Sequence, residues 1–166
     1  VTGATGYVGG RLIPLLLEAG HQVRVLTRDP ARLQGRAWLP QVEVVRGDVL
    51  QANTLPAAMQ GITAAYYLVH SMSDSPDFHE RDIAAARNFA QAASAAGVAR
   101  IIYRGGLGDA STGLSQHLRS RQATGDALRA ASAPPASSPA TTTVTEFRAA
   151  IIVGSGSLSF EMIRYL

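Results

Sequence analysis

The chain has 166 residues, 46% of them hydrophobic and 16% charged, which marks a globular domain with a sizeable core and excludes a disordered tract. Its formal charge of +3 comes from scattered arginines, without a basic stripe or interleaved aromatics, and this argues against a nucleic-acid partner. With no cysteine there is no disulfide framework, thiolate zinc site or thiol nucleophile; no apolar run approaches the roughly 18 residues of a membrane span, no signal peptide is evident, and a cytoplasmic protein is expected.

The first ten residues carry the most chemistry. Val1-Thr2-Gly3-Ala4-Thr5-Gly6-Tyr7-Val8-Gly9-Gly10 is a glycine-rich turn running into an amphipathic helix. Gly3, Gly6 and Gly9 are spaced G-x-x-G-x-x-G. In a strand-to-helix turn under a pyrophosphate, one glycine permits the tight turn. The next lets the backbone approach the phosphates, and the third lets the helix pack close on the sheet. The helix N-terminus offers free N–H groups and a partial positive charge to the anion. Thr2, Gly3, Ala4, Thr5, Gly6, Tyr7, Val8 and Gly9 are therefore candidate cofactor-binding residues. A glycine-rich surface loop capping an ordinary helix is the bland alternative.

The helix behind the turn carries Leu12, Ile13, Leu15, Leu16 and Leu17 and closes at Ala19-Gly20. Pro14 falls within its first two turns, where a missing N–H is tolerated best. His21 to Arg28 alternates as a strand. Pro30 to Leu39 reads as a short helix, and Val42 to Arg46 as a strand leading into Gly47-Asp48-Val49. Asn53 to Gln60 is helical. Ala64 to Val69 is a strand ending at His70-Ser71. Ser75-Pro76-Asp77 starts a long helix that runs through Ala96 and stops at Gly97. Ala99 to Tyr103 is the next strand, followed by Gly105-Gly106-Leu107-Gly108. Ser115 to Ala131 is helical. Ala133 to Thr143, rich in Pro, Ser, Ala and Thr, is a loop. Val144 to Phe147 is a strand, and a helix begins at Leu158.

Strands alternating with helices predict an α/β fold. The form expected is a Rossmann-type, doubly wound parallel sheet in a three-layer αβα sandwich. The expected strand order is 3-2-1-4-5-6, counting the strand before the glycine turn as the first. Residues 1–166 read as a single domain. Only Val1 stands where that first strand belongs, and the chain stops inside the helix Glu161 to Leu166. A fragment is expected, with the C-terminal substrate part outside it.

Arg28 follows the second expected strand, 19 positions after Gly9. An acidic residue there binds the ribose hydroxyls of NAD, whereas an Arg accommodates the extra phosphate of NADP. Arg28 favours NADP, with a solvated loop residue as the alternative; Asp29 beside it could serve NAD. His70, at the C-terminal end of a strand, could line the cofactor ribose or the substrate space, or be a loop residue. His79, Arg81 and Asp82 read as a solvated helix start. His117 and Arg121 share one helix face. If that face meets the cleft, Arg121 could contact ribose or phosphate and His117 could donate a proton; a surface pair is the alternative.

These motifs together resemble the extended and atypical short-chain dehydrogenase/reductase superfamily, nearest its NmrA-like NAD(P)H-binding members. Thr2 to Gly9 is similar to the nucleotide fingerprint, and Gly47-Asp48-Val49 to the adenine-contacting segment. Asp82 to Ala90, with Ala96 to Tyr103 behind it, is similar to the stretch leading into the fifth strand. Glu146 to Gly154 is similar to the sixth strand and the turn beyond it. The resemblance implies NADP or NAD as cofactor, with Asp48 and Val49 beside the adenine; an Asp in a turn also bonds its own backbone.

One departure stands out. Ordinary members carry Tyr-x-x-x-Lys on the helix after the fifth strand, and a Ser or Thr at that strand's end. This chain has Leu114-Ser115-Gln116-His117-Leu118-Arg119-Ser120-Arg121-Gln122 and Gly105-Gly106 instead. Two functions are compatible with this. One is an oxidoreductase or isomerase with non-standard acid/base groups, His117 being the candidate. The other is a non-enzymatic dinucleotide-sensing regulator or assembly subunit. The substrate is not legible, and no metal site is expected.

Overall fold

The computed structural model describes residues 1–69, 78–108, 113, 115–132 and 141–165. Helix α1 (Tyr7–Glu18) leads to strand β1 (Arg24–Thr27). Two 3-10 turns, Pro30–Leu33 and Leu39–Gln41, precede β2 (Glu43–Arg46). A further 3-10 turn, Ala52–Thr54, runs into the short α2 (Leu55–Met59). Beyond it come β3 (Ala64–Tyr67), α3 (Phe78–Ala95), β4 (Arg100–Gly106), α4 (Gln116–Ala131), β5 (Thr143–Ala149) and α5 (Leu158–Arg164).

All the strand pairs are parallel, β1 with β2 and β3–β4–β5 in turn. The N-terminal stub joins these two groups. Thr2 bridges Leu26 of β1 in parallel register, and its N–H donates to the Tyr66 carbonyl of β3 at 3.0 Å. The buried Thr2 hydroxyl completes the seam: it donates to the Tyr66 carbonyl and accepts the Leu68 N–H, both at 3.0 Å. Counting the stub as the first strand, the order is the expected 3-2-1-4-5-6.

Alternation along the strands divides the core. Val25 faces α1, where Ala4, Ile13, Val23, Leu33 and Trp38 pack. Its neighbour Leu26 points to the opposite face and meets Leu55 and Ala58 of α2. The larger core lies between the sheet and α3 and α4, built on Tyr67, Phe89, Ile101, Tyr103 and Leu128. Phe89 meets the Tyr67 ring edge-on at 5.0 Å, a favoured aromatic geometry.

The stretch 30–39 is not the helix its sequence suggested. Pro30 opens a single 3-10 turn, capped by the Asp29 carboxylate, which accepts the Ala31 N–H at 3.1 Å. Gly35 and Pro40 interrupt the chain beyond that turn, so Leu33 and Trp38 reach the core separately. Arg24 ties β1 to its surroundings. It pairs with Glu43 at 2.7 Å and donates to the carbonyls of Ala58 and Gln60 at the end of α2, where a cation complements the helix dipole.

Helix α4 starts as expected. Ser115 is its N-cap, accepting the Leu118 N–H on its hydroxyl at 3.3 Å. Ser115→Ala is expected to cost about 1 kcal/mol and lower the melting temperature by about 2–4 °C. Thermal denaturation followed by circular dichroism measures this.

Candidate dinucleotide site

The glycine turn lies at the C-terminal edge of the parallel strands, where open α/β sheets bind ligands. Gly3 adopts φ +69°, a left-handed conformation, and a Cβ there would come 2.8 Å from the Leu68 carbonyl oxygen. At Gly9 a Cβ would overlap the Gly3 carbonyl oxygen and come within 2.9 Å of the Ala4 Cα. The first turn of α1 is thus pressed onto the loop that feeds it. Gly6 is the exposed N-cap, with no side chain to cover the helix end and no acidic residue in the first turn. Gly6 N–H bonds the Gly3 carbonyl and Gly10 N–H the Gly6 carbonyl, both at 3.0 Å. The N–H groups of Tyr7, Val8 and Gly9 have no backbone acceptor among the described residues. They form the kind of donor cluster that receives a phosphate.

A cleft of about 560 Å³ opens beside this turn. Thr2, Gly3, Ala4 and Thr5 line it, together with Arg28, Arg32, Asp48 and Val49. Its remaining wall includes Tyr67, Val69, Phe78 and Asp82. Arg28 and Arg32 are exposed, and neither has an ion-pair partner among the described residues. Asp48 accepts the Leu50 N–H on one carboxylate oxygen at 3.0 Å, and its own N–H is held by the Thr54 hydroxyl. The Val49 carbonyl is fixed by the Asn88 amide at 3.1 Å. Size, backbone donors and cationic rim fit a dinucleotide.

Not every expected residue is part of that wall. The Thr2 hydroxyl is committed to β3, so its contribution is backbone position. Gly6, Tyr7, Val8 and Gly9 form the helix start beside the cleft. The Tyr7 ring stacks under the Arg11 guanidinium at 4.7 Å, and its hydroxyl lies against Gly154. His70 lies outside the described residues. His117 is exposed on the first turn of α4, its ring 5.6 Å from that of Phe78 in the cleft wall. Arg121 is turned elsewhere, donating to the Arg104 carbonyl at 3.3 Å.

Arg81 is exposed as expected, but the solvated reading of Asp82, which is half-buried, is corrected. Both line the cleft, and Asp82 accepts from the Ser120 hydroxyl of α4 at 3.4 Å. The signal was present: Phe78, Asp82, Ala85 and Phe89 follow helical spacing along one face. Tyr67, also in the wall, is held protonated above the ordinary phenol range, first by burial and then by the Asp82 charge. Burial likewise pushes the Tyr103 phenol up to about 12, and it donates to the Arg121 carbonyl at 2.9 Å. Neither buried tyrosine is a ready phenolate.

Fold and cleft together define a dinucleotide-binding α/β domain of the short-chain dehydrogenase type. A family described as NAD(P)H-binding matches residues 3–134, and the chain belongs to it. It is 34% identical over 113 residues to a 3β-hydroxysteroid dehydrogenase/Δ5→4-isomerase of Mycobacterium tuberculosis, a match spanning 62% of this chain and 30% of that protein. Among solved structures it is similar to the Citrobacter sp. triphenylmethane reductase complexed with NADP(H). That likeness has a TM-score of 0.65 and 28% identity, and it covers 78% of this chain and 44% of the other. It is also similar to an NADPH-dependent quinone oxidoreductase from Escherichia coli complexed with NADPH, with a TM-score of 0.64 and 27% identity over 86% of this chain and 46% of that one. The chain thus spans about half the length of these structures or less. No helix among the described residues is long and apolar enough to cross a membrane.

Proposed function

We propose that the chain is the cofactor-binding part of a cytoplasmic oxidoreductase that uses NADPH in preference to NADH. The carrying observation is the rim of the cleft. The Arg28 guanidinium stands there exposed and without an acidic partner among the described residues, next to Arg32, while one oxygen of the neighbouring Asp29 carboxylate accepts the Ala31 N–H. The other Asp29 oxygen can still accept a ribose hydroxyl, but only the Arg is a donor to a 2′-phosphate. The two NADP(H)-bound structures that this chain resembles support the same choice.

Within this reading, the N–H groups of Tyr7, Val8 and Gly9 cradle the pyrophosphate, and Asp48 with Val49 borders the adenine. Bound NADPH supplies a hydride. The protein must supply the proton, and Tyr-x-x-x-Lys is absent from α4. We assign the proton to His117, whose ring lies 5.6 Å from that of Phe78, a residue of the cleft wall. A guanidinium-to-phosphate contact is worth about 1.5–3 kcal/mol. Arg28→Ala is therefore expected to weaken NADPH binding roughly ten- to a hundredfold and to leave NADH binding nearly unchanged. Titration calorimetry with both cofactors tests this. Equal losses for both would show that Arg28 does not read the 2′-phosphate.

A further inference from the structure

Helix α5 contributes nothing to the core. None of its residues is buried, and Leu158, Met162 and Ile163 are exposed. The segment leading to it is no better covered, since Ile151 and Val153 are exposed as well. A helix that buries so little has low local stability unless something else seats it. The seat is the turn before it. Ser157 there is buried, and its hydroxyl accepts the Phe160 N–H at 3.1 Å and the Gly154 N–H at 3.2 Å. The Ser157 N–H returns to the Gly154 carbonyl at 2.8 Å. The turn and the start of α5 are thereby hydrogen-bonded into one unit.

That unit rests on the first two turns of α1. The Tyr7 hydroxyl lies so close to Gly154 that a Cβ on the glycine would overlap it. The Arg11 guanidinium stacks over the Tyr7 ring at 4.7 Å and donates from Nη2 to the Ser155 carbonyl. Tyr7 and Arg11 are four residues apart, on one helix face. Tyr7 thus has two sides. Its backbone N–H is one of the three unpaired donors at the open end of α1, and its side chain holds the turn that caps α5. An anion on those donors fixes the helix start, and with it the ring and the guanidinium on which the turn sits.

We propose that Tyr7 and Arg11 are positioning residues that couple the dinucleotide site to α5: a dinucleotide on the glycine turn and a docked α5 favour one another. Among the described residues, none of α5 lines the cleft, so the coupling runs through these two side chains and not through the ligand. It is reciprocal: the factor by which the cofactor favours docking is the factor by which docking favours the cofactor. The coupling rests on the phosphate assignment made above for the N–H groups of Tyr7, Val8 and Gly9.

Hydrogen–deuterium exchange with and without saturating NADPH tests this, with calorimetry on the same proteins. In the parent, NADPH is expected to slow exchange of the amides of 154–162 roughly fivefold. In Arg11→Ala that slowing is expected to vanish, and NADPH affinity to fall by about the same factor and no more. Arg11→Lys keeps a cation that can donate to the Ser155 carbonyl, and is expected to restore most of the slowing. Gly154→Val breaks the contact from the other side. The Gly154 φ is not positive, so the overlap with Tyr7 is what the substitution adds, and the result is expected to match Arg11→Ala. Slowing that is absent in the parent, or undiminished in both Arg11→Ala and Gly154→Val, overturns the coupling and leaves the cofactor site standing. Exchange that is faster in Arg11→Ala but equally slowed by NADPH shows structural support alone and also overturns it. A parent that binds no NADPH overturns the cofactor reading and the coupling together.

Discussion

Gly6→Leu is expected to abolish dinucleotide binding while the protein stays folded. Gly6 is exposed, and its backbone is extended, at φ −81° and ψ 171°, which any residue adopts. A Cβ there lies 3.2 Å from the Gly3 carbonyl oxygen, a tight contact that a shift of a few tenths of an ångström relieves. The longer side chain, however, stands at the open end of α1, before the unpaired N–H groups. An anion reaches those donors only if nothing covers them. The expected loss in NADPH affinity is at least about a hundredfold, close to 2.7 kcal/mol. Gly9→Ala is the contrasting variant. Its methyl group meets backbone of Gly3 and Ala4, which cannot rotate away. Overpacking of this kind costs about 1–3 kcal/mol, or roughly 2–10 °C in melting temperature. Calorimetry and thermal melts on the two variants separate a binding defect from a folding defect. Unchanged NADPH titration in Gly6→Leu would remove the phosphates from this turn.

That contrast also shows how much of the site could be read from residue order. The spacing of Gly3, Gly6 and Gly9 announced a turn under a helix because steric clearance has a sequence signature. So did the parallel sheet, through strands that alternate with helices. Which glycine clears space for the ligand and which for the backbone is a matter of three-dimensional neighbours. Asp82 was misread for a related reason. A carboxylate near a helix start is usually solvated, and only the line Phe78, Asp82, Ala85 and Phe89 betrayed its face. The stretch 30–39 was misread because Leu33 and Trp38 look periodic when Gly35 and Pro40 are ignored. Arg104 is a charge at the end of the apolar run Ala99 to Tyr103, and nothing local to it indicates its neighbour. Arg121 is 17 residues away, and α4 brings it back over β4.

His117→Ala is expected to lower the turnover of carbonyl or quinone reduction by about two to four powers of ten, the usual worth of general acid–base help. Among the described residues, several observations favour this side chain. Burial raises the pKa of both Tyr67 and Tyr103, which makes each a weak acid reluctant to release its proton, and the Tyr103 hydroxyl is engaged with the Arg121 carbonyl. Gly105 and Gly106 offer no hydroxyl at the end of β4. His117 is exposed, on the first turn of α4, against the Phe78 ring that lines the cleft. NADPH affinity is expected to be unchanged in the variant, since the side chain stands apart from the glycine turn and from Arg28. The measurement is steady-state and single-turnover oxidation of NADPH with a panel of carbonyl and quinone acceptors. Robust reduction that survives His117→Ala would place the proton donor elsewhere. Asp82, whose carboxylate borders the same cleft and engages Ser120, would be the next side chain to replace.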